Sequence, residues 1–388
     1  MQQYTMHSRH ATTIAIDQHA RSVTMRALDL STGEERRRQL VNCPTAEDMV
    51  SWAKSWATEP FRFAYESGPC GFQLARDIRS LGFDCDIIAV TSIARSQEDK
   101  AFKDDNRDAG RLLSELTAIH PKCKPIWIPS ETYEADRDLV RAYCDVLDAS
   151  KSTKLQLSGF LLRHGYVWNE RTRSGNLKKT WTSDYIKWVR AVKFSERSDG
   201  ITLDRYFRFA LEGITRVAEM AKLCLEIAHN ERYKPYTDAL TRLKGVDDIT
   251  AIIFTATMGD FTRFKNGRSV SSYFGLVPKR HDSGEKTGKN GHITKAGDTT
   301  VRRAVVEALA GICNFASGAK VLPKGRQAPS ARIEAEALKC NIRNIERFRH
   351  LIGRGKSINV AKVAVAKELV RDMWVIGCMV QEEQAMKK

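Results

Sequence analysis

The sequence predicts a mixed α/β sheet domain, followed by an α-helical coiled-coil region and a mostly α-helical C-terminal domain. Short β-branched or alternating runs take turns with helical patterns through about residue 130, which is typical of an α/β sheet. From Leu203 to Ala228 the apolar residues recur at alternating steps of four and three, a sustained heptad. Helical patterns dominate the remainder. We therefore predict domains at residues 8–130, 131–238 and 239–388.

The N-terminal domain is predicted to open with a three-strand meander. Thr12–Asp17 is rich in β-branched residues, and Arg21–Leu30 alternates between apolar and polar positions. Ser31–Glu34 is a predicted turn before the strand Arg36–Val41. The elements predicted after the meander are helices at Pro44–Trp56, Gly71–Leu81 and Asp108–His120 and strands at Phe61–Tyr65, Asp84–Val90 and Lys124–Pro129. This alternation indicates a mixed α/β sheet domain.

The middle of the chain is predicted to contain a long helix at Glu131–Arg163 and then the heptad helix, whose apolar seam needs a partner. That partner is either another subunit or the Glu131–Arg163 helix folding back, and packing in a bundle core gives the same spacing. Leu243–Val246 is a predicted glycine turn between helices, a pattern common in αα-hairpins, whose amides can approach phosphate. Further helices are predicted at Ala251–Met258, Asp298–Phe315, Ile333–Arg349 and Asn359–Met379.

The segment Tyr166–Trp188 combines aromatic and basic residues. Its members include Trp168, Lys178, Lys179, Trp181 and Trp188. In one interpretation the rings stack on the bases of single-stranded or bent nucleic acid while the lysines contact phosphates. In the other, the segment is an ordinary irregular loop whose tryptophans pack inward. The sequence favours neither interpretation.

The composition indicates a polyanionic partner. The 388 residues carry a formal charge of +16, and such a surplus of Lys and Arg favours nucleic acid because neutralised phosphates release counterions. No apolar run reaches the roughly 18 residues that a membrane span needs, and the N-terminus shows no signal pattern. The nine cysteines are scattered without CxxC pairs, which is typical of reduced cysteines. We therefore expect a cytoplasmic protein without membrane contact.

Four acids in the first domain form a candidate metal site. Asp17 and Glu66 each end a predicted strand, where a carboxylate reaches the sheet edge, and Asp105 and Asp108 lie three positions apart at a helix start. Their oxygens suit Mg²⁺ or Mn²⁺, and a pair of such ions can activate an attacking group and stabilise a leaving oxygen. Taken singly, such acids are more often helix caps or surface charges. Asp104 competes with Asp105 for the third position.

Ser283 lies in a strongly basic segment of the last domain. The cations predicted to contact nucleic acid around it are Lys279, Arg280, Lys286, Lys289, Lys295, Arg302 and Arg303. Serine is a poor nucleophile unless its proton is removed and its electrophile is neutralised, and a phosphate held by cations meets the second condition. Without other information, Ser283-Gly284 is more typical of a turn in a loop.

Five stretches of the chain resemble one known family, the DEDD-type insertion-sequence transposases, which are recombinases guided by a bridge RNA from their own element. These stretches are Tyr65–Phe72, Lys103–Ala109, Gly275–Pro278, Ser283-Gly284 and Ile293–Gly297. They follow one another in the family's order at similar spacings. The resemblance extends from about residue 10 to about residue 380, which is nearly the whole chain.

The resemblance implies an RNase H-like (RuvC-like) N-terminal domain, a central coiled coil and a C-terminal transposase domain. It implies that Asp17, Glu66, Asp105 and Asp108 hold the metal and that Ser283 is the nucleophile that becomes linked to DNA. The implied partners are target and donor DNA, a guide RNA and further copies of the chain, as a homodimer that assembles into a tetramer. The implied location is the bacterial cytoplasm, in association with the nucleoid.

Two other functions are compatible with these residues. A hydrolytic nuclease or junction resolvase on the same fold would use water as its nucleophile and would leave Ser283 in a turn. A non-catalytic RNA- or DNA-binding protein would keep the basic surface with decayed acids. The hypothesis that the sequence favours is an RNA-guided, site-specific DNA recombinase that moves its own insertion element.

Overall fold

The computed structural model of the chain describes residues 10–93, 105–283, 286–322, 326 and 329–387. Within these ranges the side chains of residues 105, 106, 280–283 and 286–290 are not described. The chain divides into two compact units, which we call unit 1 (Met1–Pro129) and unit 2 (Ser130–Lys388). In the described ranges no helix is both long and apolar enough to cross a membrane. The division into three domains stays a prediction.

Unit 1 is built on a mixed sheet whose described strands have the order β3-β2-β1-β4-β5. Its strands are β1 Thr12–Gln18, β2 Ser22–Asp29, β3 Glu35–Val41, β4 Phe61–Glu66 and β5 Asp84–Ile88. The first three strands form an antiparallel meander, whereas β4 runs parallel to both β1 and β5. The predicted mixed α/β sheet domain is therefore confirmed.

Helices cover both faces of this sheet. They are α1 Ala46–Lys54, α2 Gln73–Ser80 and α3 Asp105–Thr117. Because side chains alternate along a strand, Ile16 and Phe63 point to the face that packs against α1 and α2. Ala15 and Ala64 point to the opposite face, where they pack against Leu112 of α3. The strands β1 and β4 are thus buried on both faces, and α3 lies over their small alanines.

Two predictions for unit 1 need correction. The predicted strand Lys124–Pro129 is wrong, because Pro125 forms only an isolated bridge with Ile88. Proline has no amide hydrogen and therefore interrupts a strand ladder. The helix predicted at Asp108–His120 begins three residues earlier, at Asp105.

Unit 2 is mostly helical. Its helices are α4 Glu131–Arg163, α5 Ser183–Ala191, α6 Arg197–Ala228, α7 Lys234–Leu240, α8 Asp248–Met258, α9 Gly267–Tyr273, α10 Thr299–Ala308, α11 Ala331–Gly353 and α12 Ile358–Met386. A hairpin of β6 (Pro278–Ser283) and β7 (Lys286–Ile293) interrupts them. The predicted helical character of this part of the chain is confirmed.

The heptad helix α6 packs against α4 as a long antiparallel pair. Cys144 shares a core cluster with Cys224 towards one end, and Leu157 shares another with Phe207 towards the other end. Gly213 allows close approach between them, since a Cβ atom there would lie 3.1 Å from the Ser150 hydroxyl oxygen. Of the two partners considered for the apolar seam, the structure supplies the helix that folds back within the chain.

The aromatic segment between α4 and α6 packs inward. The buried ring of Tyr185 has the rings of Trp168, Trp181 and Trp188 around it, with centroids 5.4, 5.3 and 5.5 Å away. Trp168 also donates its indole N–H to the carbonyl oxygen of Lys178 at 3.1 Å. Since these rings are engaged with one another, the structure supports the packed-loop interpretation over base stacking.

The glycine turn between α7 and α8 also faces the interior of unit 2. A Cβ atom on Gly245 would overlap the carbonyl oxygen of Ala308, and the φ angle of +87° is one that favours glycine. The Lys244 N–H donates to Asn341 Oδ1 at 2.8 Å, and Lys320 Nζ donates to carbonyls of the turn. The Lys244 amide therefore already has a protein partner, and phosphate contact by the other amides of the turn stays a prediction.

Candidate functional site

The sheet of unit 1 brings Asp17 and Glu66 together. Ile16 of β1 pairs with Tyr65 of β4 in parallel register, so the acids follow at neighbouring positions where the two strands end. Each acid lies two residues after an alanine that faces α3, and side-chain alternation therefore places both carboxylates on the α3 face. The sequence-based expectation of two acids at one sheet edge agrees with this geometry.

Helix α3 adds Asp108 to this edge through a shared arginine. Arg111 Nη2 lies 2.9 Å from Asp108 Oδ1 and 3.2 Å from Glu66 Oε1. Because one nitrogen contacts both oxygens, these carboxylates lie close to each other. We call Asp17, Glu66, Asp108 and Arg111 the acidic edge. The backbone of Asp105 begins α3, and its side chain is outside the described residues.

Arg111 is a member of this site that the sequence analysis missed. Its side chain is only 14% exposed, whereas Glu66 and Asp108 are 24% and 28% exposed. Burial alone would lower the pKa of Arg111, but its bonds to Glu66 and Asp108 raise that pKa above its ordinary value. The spacing of three residues between Asp108 and Arg111 was the available signal, because it places both side chains on one helix face.

The donor set of the acidic edge suits a hard divalent cation, since it offers carboxylate oxygens. Asp17 also has a histidine neighbour, His19, with Nε2 3.3 Å from Asp17 Oδ2. Among the side chains that the structure describes, no group of three or more His, Cys, Asp or Glu has the spacing of a formed metal site. Between Glu66 and Asp108 the positive charge is that of the Arg111 guanidinium.

Ser283 is the last residue of β6 and is paired with Lys286 at the start of β7. It therefore stands at the outer end of the β6–β7 hairpin. Two register irregularities, between Pro278 and Arg280 and between His281 and Ser283, interrupt the ladder. The side chains of Ser283, Arg280, Lys286 and Lys289 are outside the described residues, so their predicted roles remain predictions.

The base of this hairpin is held by two glycines. Gly275 and Gly297 have φ angles of +65° and +69°, and a Cβ atom on either would overlap backbone atoms of the other strand's flank. The Lys295 N–H donates to the Gly275 carbonyl at 3.1 Å, and the Thr294 N–H donates to the Val277 carbonyl at 2.9 Å. The Gly275–Pro278 and Ile293–Gly297 motifs are thus two halves of one support for the hairpin.

The two arginines that follow are engaged within unit 2. Arg302 is buried, and its Nη1 donates to the carbonyl oxygens of Phe274 and Ala296 at 3.1 and 2.6 Å. Arg303 pairs with both carboxylate oxygens of Asp148 at 2.5 and 2.6 Å. We therefore omit both from the nucleic-acid surface proposed below, because their guanidinium groups already stabilise the hairpin base and α10.

Lys279 and Lys295 flank the hairpin base and are exposed. Lys295 has a φ angle of +56°, which fixes its backbone in a tight turn just before Gly297. Of the predicted nucleic-acid contacts whose side chains the structure describes, these two are open to solvent. Their predicted contacts with phosphate stay predictions.

Comparison with known proteins identifies the family. Residues 237–320, which include the hairpin and its base, match the family model described as Transposase IS116/IS110/IS902 family. The chain is 34% identical over 323 residues to y4qE of Sinorhizobium fredii, a protein named as a transposase, covering 81% of this chain and 75% of that protein. It is 28% identical to the transposase for insertion sequence element IS1533 of Leptospira borgpetersenii, covering 76% and 83% of the two chains.

A third relative is the 43.6 kDa protein of insertion element IS110 from Streptomyces coelicolor, 24% identical and covering 60% of this chain and 55% of that protein. The fold, the basic hairpin and these matches together define an enzyme that acts on DNA, a transposase. The chain belongs to the IS116/IS110/IS902 transposase family.

Proposed function

We propose that this transposase is an RNA-guided, site-specific DNA recombinase that uses Ser283 as its nucleophile and the acidic edge as its Mg²⁺ site. The observation that carries this proposal is the convergence of Asp17, Glu66 and Asp108 at the ends of two parallel strands and the start of α3. Asp105 is the fourth acid of the proposed set. The order of the five strands supports an RNase H-like (RuvC-like) assignment for unit 1.

In the proposed reaction the Ser283 hydroxyl oxygen attacks the phosphorus of one DNA phosphodiester. A bond from the serine oxygen to phosphorus forms, the bond from phosphorus to one sugar oxygen breaks, and that sugar leaves as an alcohol that takes up a proton. A sugar hydroxyl of the exchange partner then attacks the phosphoserine and releases the serine. Each step exchanges one phosphate ester bond for another of similar energy, so the reaction needs no nucleotide cofactor.

When bound, Mg²⁺ would lower the charge on the phosphate and assist deprotonation of the attacking hydroxyl. Asp17, Glu66, Asp105 and Asp108 are the residues that would hold it. Lys279 and Lys295 would bind the phosphates beside the cleaved bond as exposed cations. These roles follow from the chemistry of the side chains, and substitution of each residue tests its role.

We further propose that the site is completed by assembly on nucleic acid. The acids belong to unit 1 and Ser283 to unit 2, so they come from different folded parts of the chain. A homodimer that becomes a tetramer around target and donor DNA would pair the acids of one subunit with the serine of another. A guide RNA on the remaining basic surface would select both DNAs, in association with the bacterial nucleoid. In this assembly we propose that the α4–α6 pair forms the coiled-coil region of each subunit.

The test is the detection of a protein–DNA adduct on a denaturing gel with labelled donor and target DNA, guide RNA and Mg²⁺. We expect the adduct to disappear in Ser283→Ala. Ser272→Ala is the matched control, because Ser272 is an exposed serine on α9 and should leave the adduct unchanged. Asp17→Asn is expected to remove both cleavage and adduct.

The same gel separates the alternative function. Strand cleavage that persists in Ser283→Ala, without any adduct in the unsubstituted protein, would favour a hydrolytic nuclease or junction resolvase. The acidic edge is the observation that supports this second candidate. Acids that hold a metal at a sheet edge can activate water without any contribution from Ser283. Binding without cleavage of any strand in Mg²⁺ would contradict both enzymatic proposals.

A further inference from the structure

We propose that Arg111 is a built-in substitute for the divalent cation, which it keeps out of the acidic edge until it is displaced. This inference rests on the proposed function, since it assumes that Glu66 and Asp108 are metal ligands. It adds a residue and a sequence of events to that function: the guanidinium leaves the carboxylates when the metal enters.

Among the described side chains, Arg111 contacts two of the proposed metal ligands. A single nitrogen, Nη2, contacts one oxygen of Glu66 and one oxygen of Asp108. The three side chains are between 14% and 28% exposed, so water screens them less than it screens surface ion pairs. The single positive charge of the guanidinium therefore offsets part of the repulsion between two carboxylates.

In this proposal the displaced guanidinium moves into a neighbouring cleft. The cleft lies beside α3, has a volume of about 410 Å³ and is lined by Arg111, Gly110 and Glu35, together with two further arginines, Arg26 and Arg107. Gly110 keeps the α3 wall of this cleft low, and the Arg26 side chain passes directly over it. Glu35, which pairs with Arg26, gives the cleft a carboxylate that can receive a second guanidinium.

A role for Arg111 as a positioning residue would have the opposite effect on metal affinity. If it only positioned Glu66 and Asp108 for the metal, its loss would loosen the ligands and weaken metal binding. If it competes with the metal, its loss removes a positive charge from the site and strengthens metal binding. The sign of the change in affinity therefore separates a competitor from a positioning residue.

The test is the affinity of the full-length protein for Mn²⁺, measured from the electron paramagnetic resonance signal of the free ion. We expect Arg111→Gln to bind Mn²⁺ at least about tenfold more tightly than the unsubstituted protein, because a charge within contact distance of both ligands is removed. Arg111→Lys keeps the charge and should stay near the original affinity. Arg36→Gln is the control for general loss of charge, because this exposed guanidinium lies over the Trp56 ring on the sheet face opposite to α3, and it should change affinity by less than about threefold.

Thermal unfolding gives a second readout. In EDTA we expect Arg111→Gln to unfold at a lower temperature than the unsubstituted protein, because its carboxylates repel each other. Mn²⁺ should then raise its unfolding temperature more than that of the unsubstituted protein. If Mn²⁺ can replace the guanidinium, it should supply the missing charge and restore folding of Arg111→Gln. Failure of this variant to fold in both EDTA and Mn²⁺ would therefore overturn the inference.

The outcomes also distinguish this inference from the proposed function. Equal or weaker Mn²⁺ binding by Arg111→Gln, with binding that Asp108→Asn still weakens, would overturn the role of Arg111 alone. Mn²⁺ binding that Asp108→Asn leaves unchanged would place the metal elsewhere and would remove the metal site of the proposed function. Tighter binding in Arg111→Gln that Asp108→Asn abolishes supports both.

Discussion

The carboxyl group of Asp372 on α12 is held in the interior of unit 2. Its side chain is 3% exposed, accepts a hydrogen bond from Asn344 Nδ2 at 2.8 Å and pairs with Arg343. Burial raises its pKa to about 6, although Arg343 and Asn344 act in the opposite direction. The folded protein therefore holds a proton that the unfolded chain has already released between about pH 4 and pH 6.

This shift predicts a pH-dependent stability. The contribution of the raised pKa is fully present below the ordinary Asp value and is lost as the pH rises through about 6. In Asp372→Asn the side chain does not titrate. The free energy of unfolding of the original protein minus that of the variant should fall by roughly 2–3 kcal/mol from pH 4 to pH 7.

Urea denaturation of both proteins across this pH range measures the difference. Asp204→Asn, an exposed residue on α6, is the control and should change stability by less than about 0.5 kcal/mol at any one pH. A difference between the original protein and Asp372→Asn that stays constant from pH 4 to pH 7 would contradict the prediction.

Single residues also show where sequence reasoning succeeds. Asp17 and Glu66 could be assigned to one edge because each follows an apolar run that ends there. Arg302 shows a limit of the sequence, since a basic run does not reveal which guanidinium is buried against carbonyls. Arg111 escaped notice for a related reason: an arginine near acids looks like a surface ion pair until its two partners are known to meet.

Among the helices, α12 contains a glycine whose role depends on packing. Gly377 lies against the buried ring of Phe261, and a Cβ atom there would overlap ring atoms. Gly377→Ala should therefore destabilise the protein by about 2 kcal/mol or more, despite the higher helix propensity of alanine. Gly200 in α6 has no atom within 4 Å of an added Cβ, so Gly200→Ala should be neutral or stabilising by up to about 1 kcal/mol.

Chemical denaturation of the two variants gives this comparison directly. Equal effects of Gly377→Ala and Gly200→Ala on the free energy of unfolding would show that ring packing at Gly377 does not limit the size of the residue. Both changes add the same methyl group to a helix, so intrinsic helix propensity cancels between them.

Long periodic elements were predictable, whereas short ones depended on tertiary contacts. The predicted bounds of α4 agree with those observed, because its apolar pattern runs without proline from the Ser130 cap to the His164-Gly165 stop. The heptad spacing of α6 predicted a packing partner but not its identity, since a second subunit and a folded-back helix require the same apolar spacing. The prediction of a strand at Lys124–Pro129 was wrong because it relied on the hydrophobic pattern. That pattern takes no account of Pro125, which has no amide hydrogen to donate to a neighbouring strand.

The net charge of the whole chain predicts a steep dependence of DNA binding on salt. With a formal charge of +16 and several phosphate contacts, affinity for nonspecific duplex DNA should fall about a hundredfold or more between roughly 50 and 200 mM salt. Filter binding across this range measures the slope of log affinity against log salt. Lys279→Gln should reduce the magnitude of the slope by about one. A flat response would remove the electrostatic basis of the proposed interface.

The way in which the β6–β7 hairpin joins the rest of unit 2 determines which of its residues can be substituted without loss of the fold. Its base is fixed by main-chain contacts at Gly275 and Gly297 and by the carbonyls that Arg302 binds. This attachment does not depend on which side chains stand at the outer end of the hairpin. Substitutions near the outer end of the hairpin, apart from Ser283, should therefore change which nucleic-acid contacts it makes while its attachment to unit 2 stays intact.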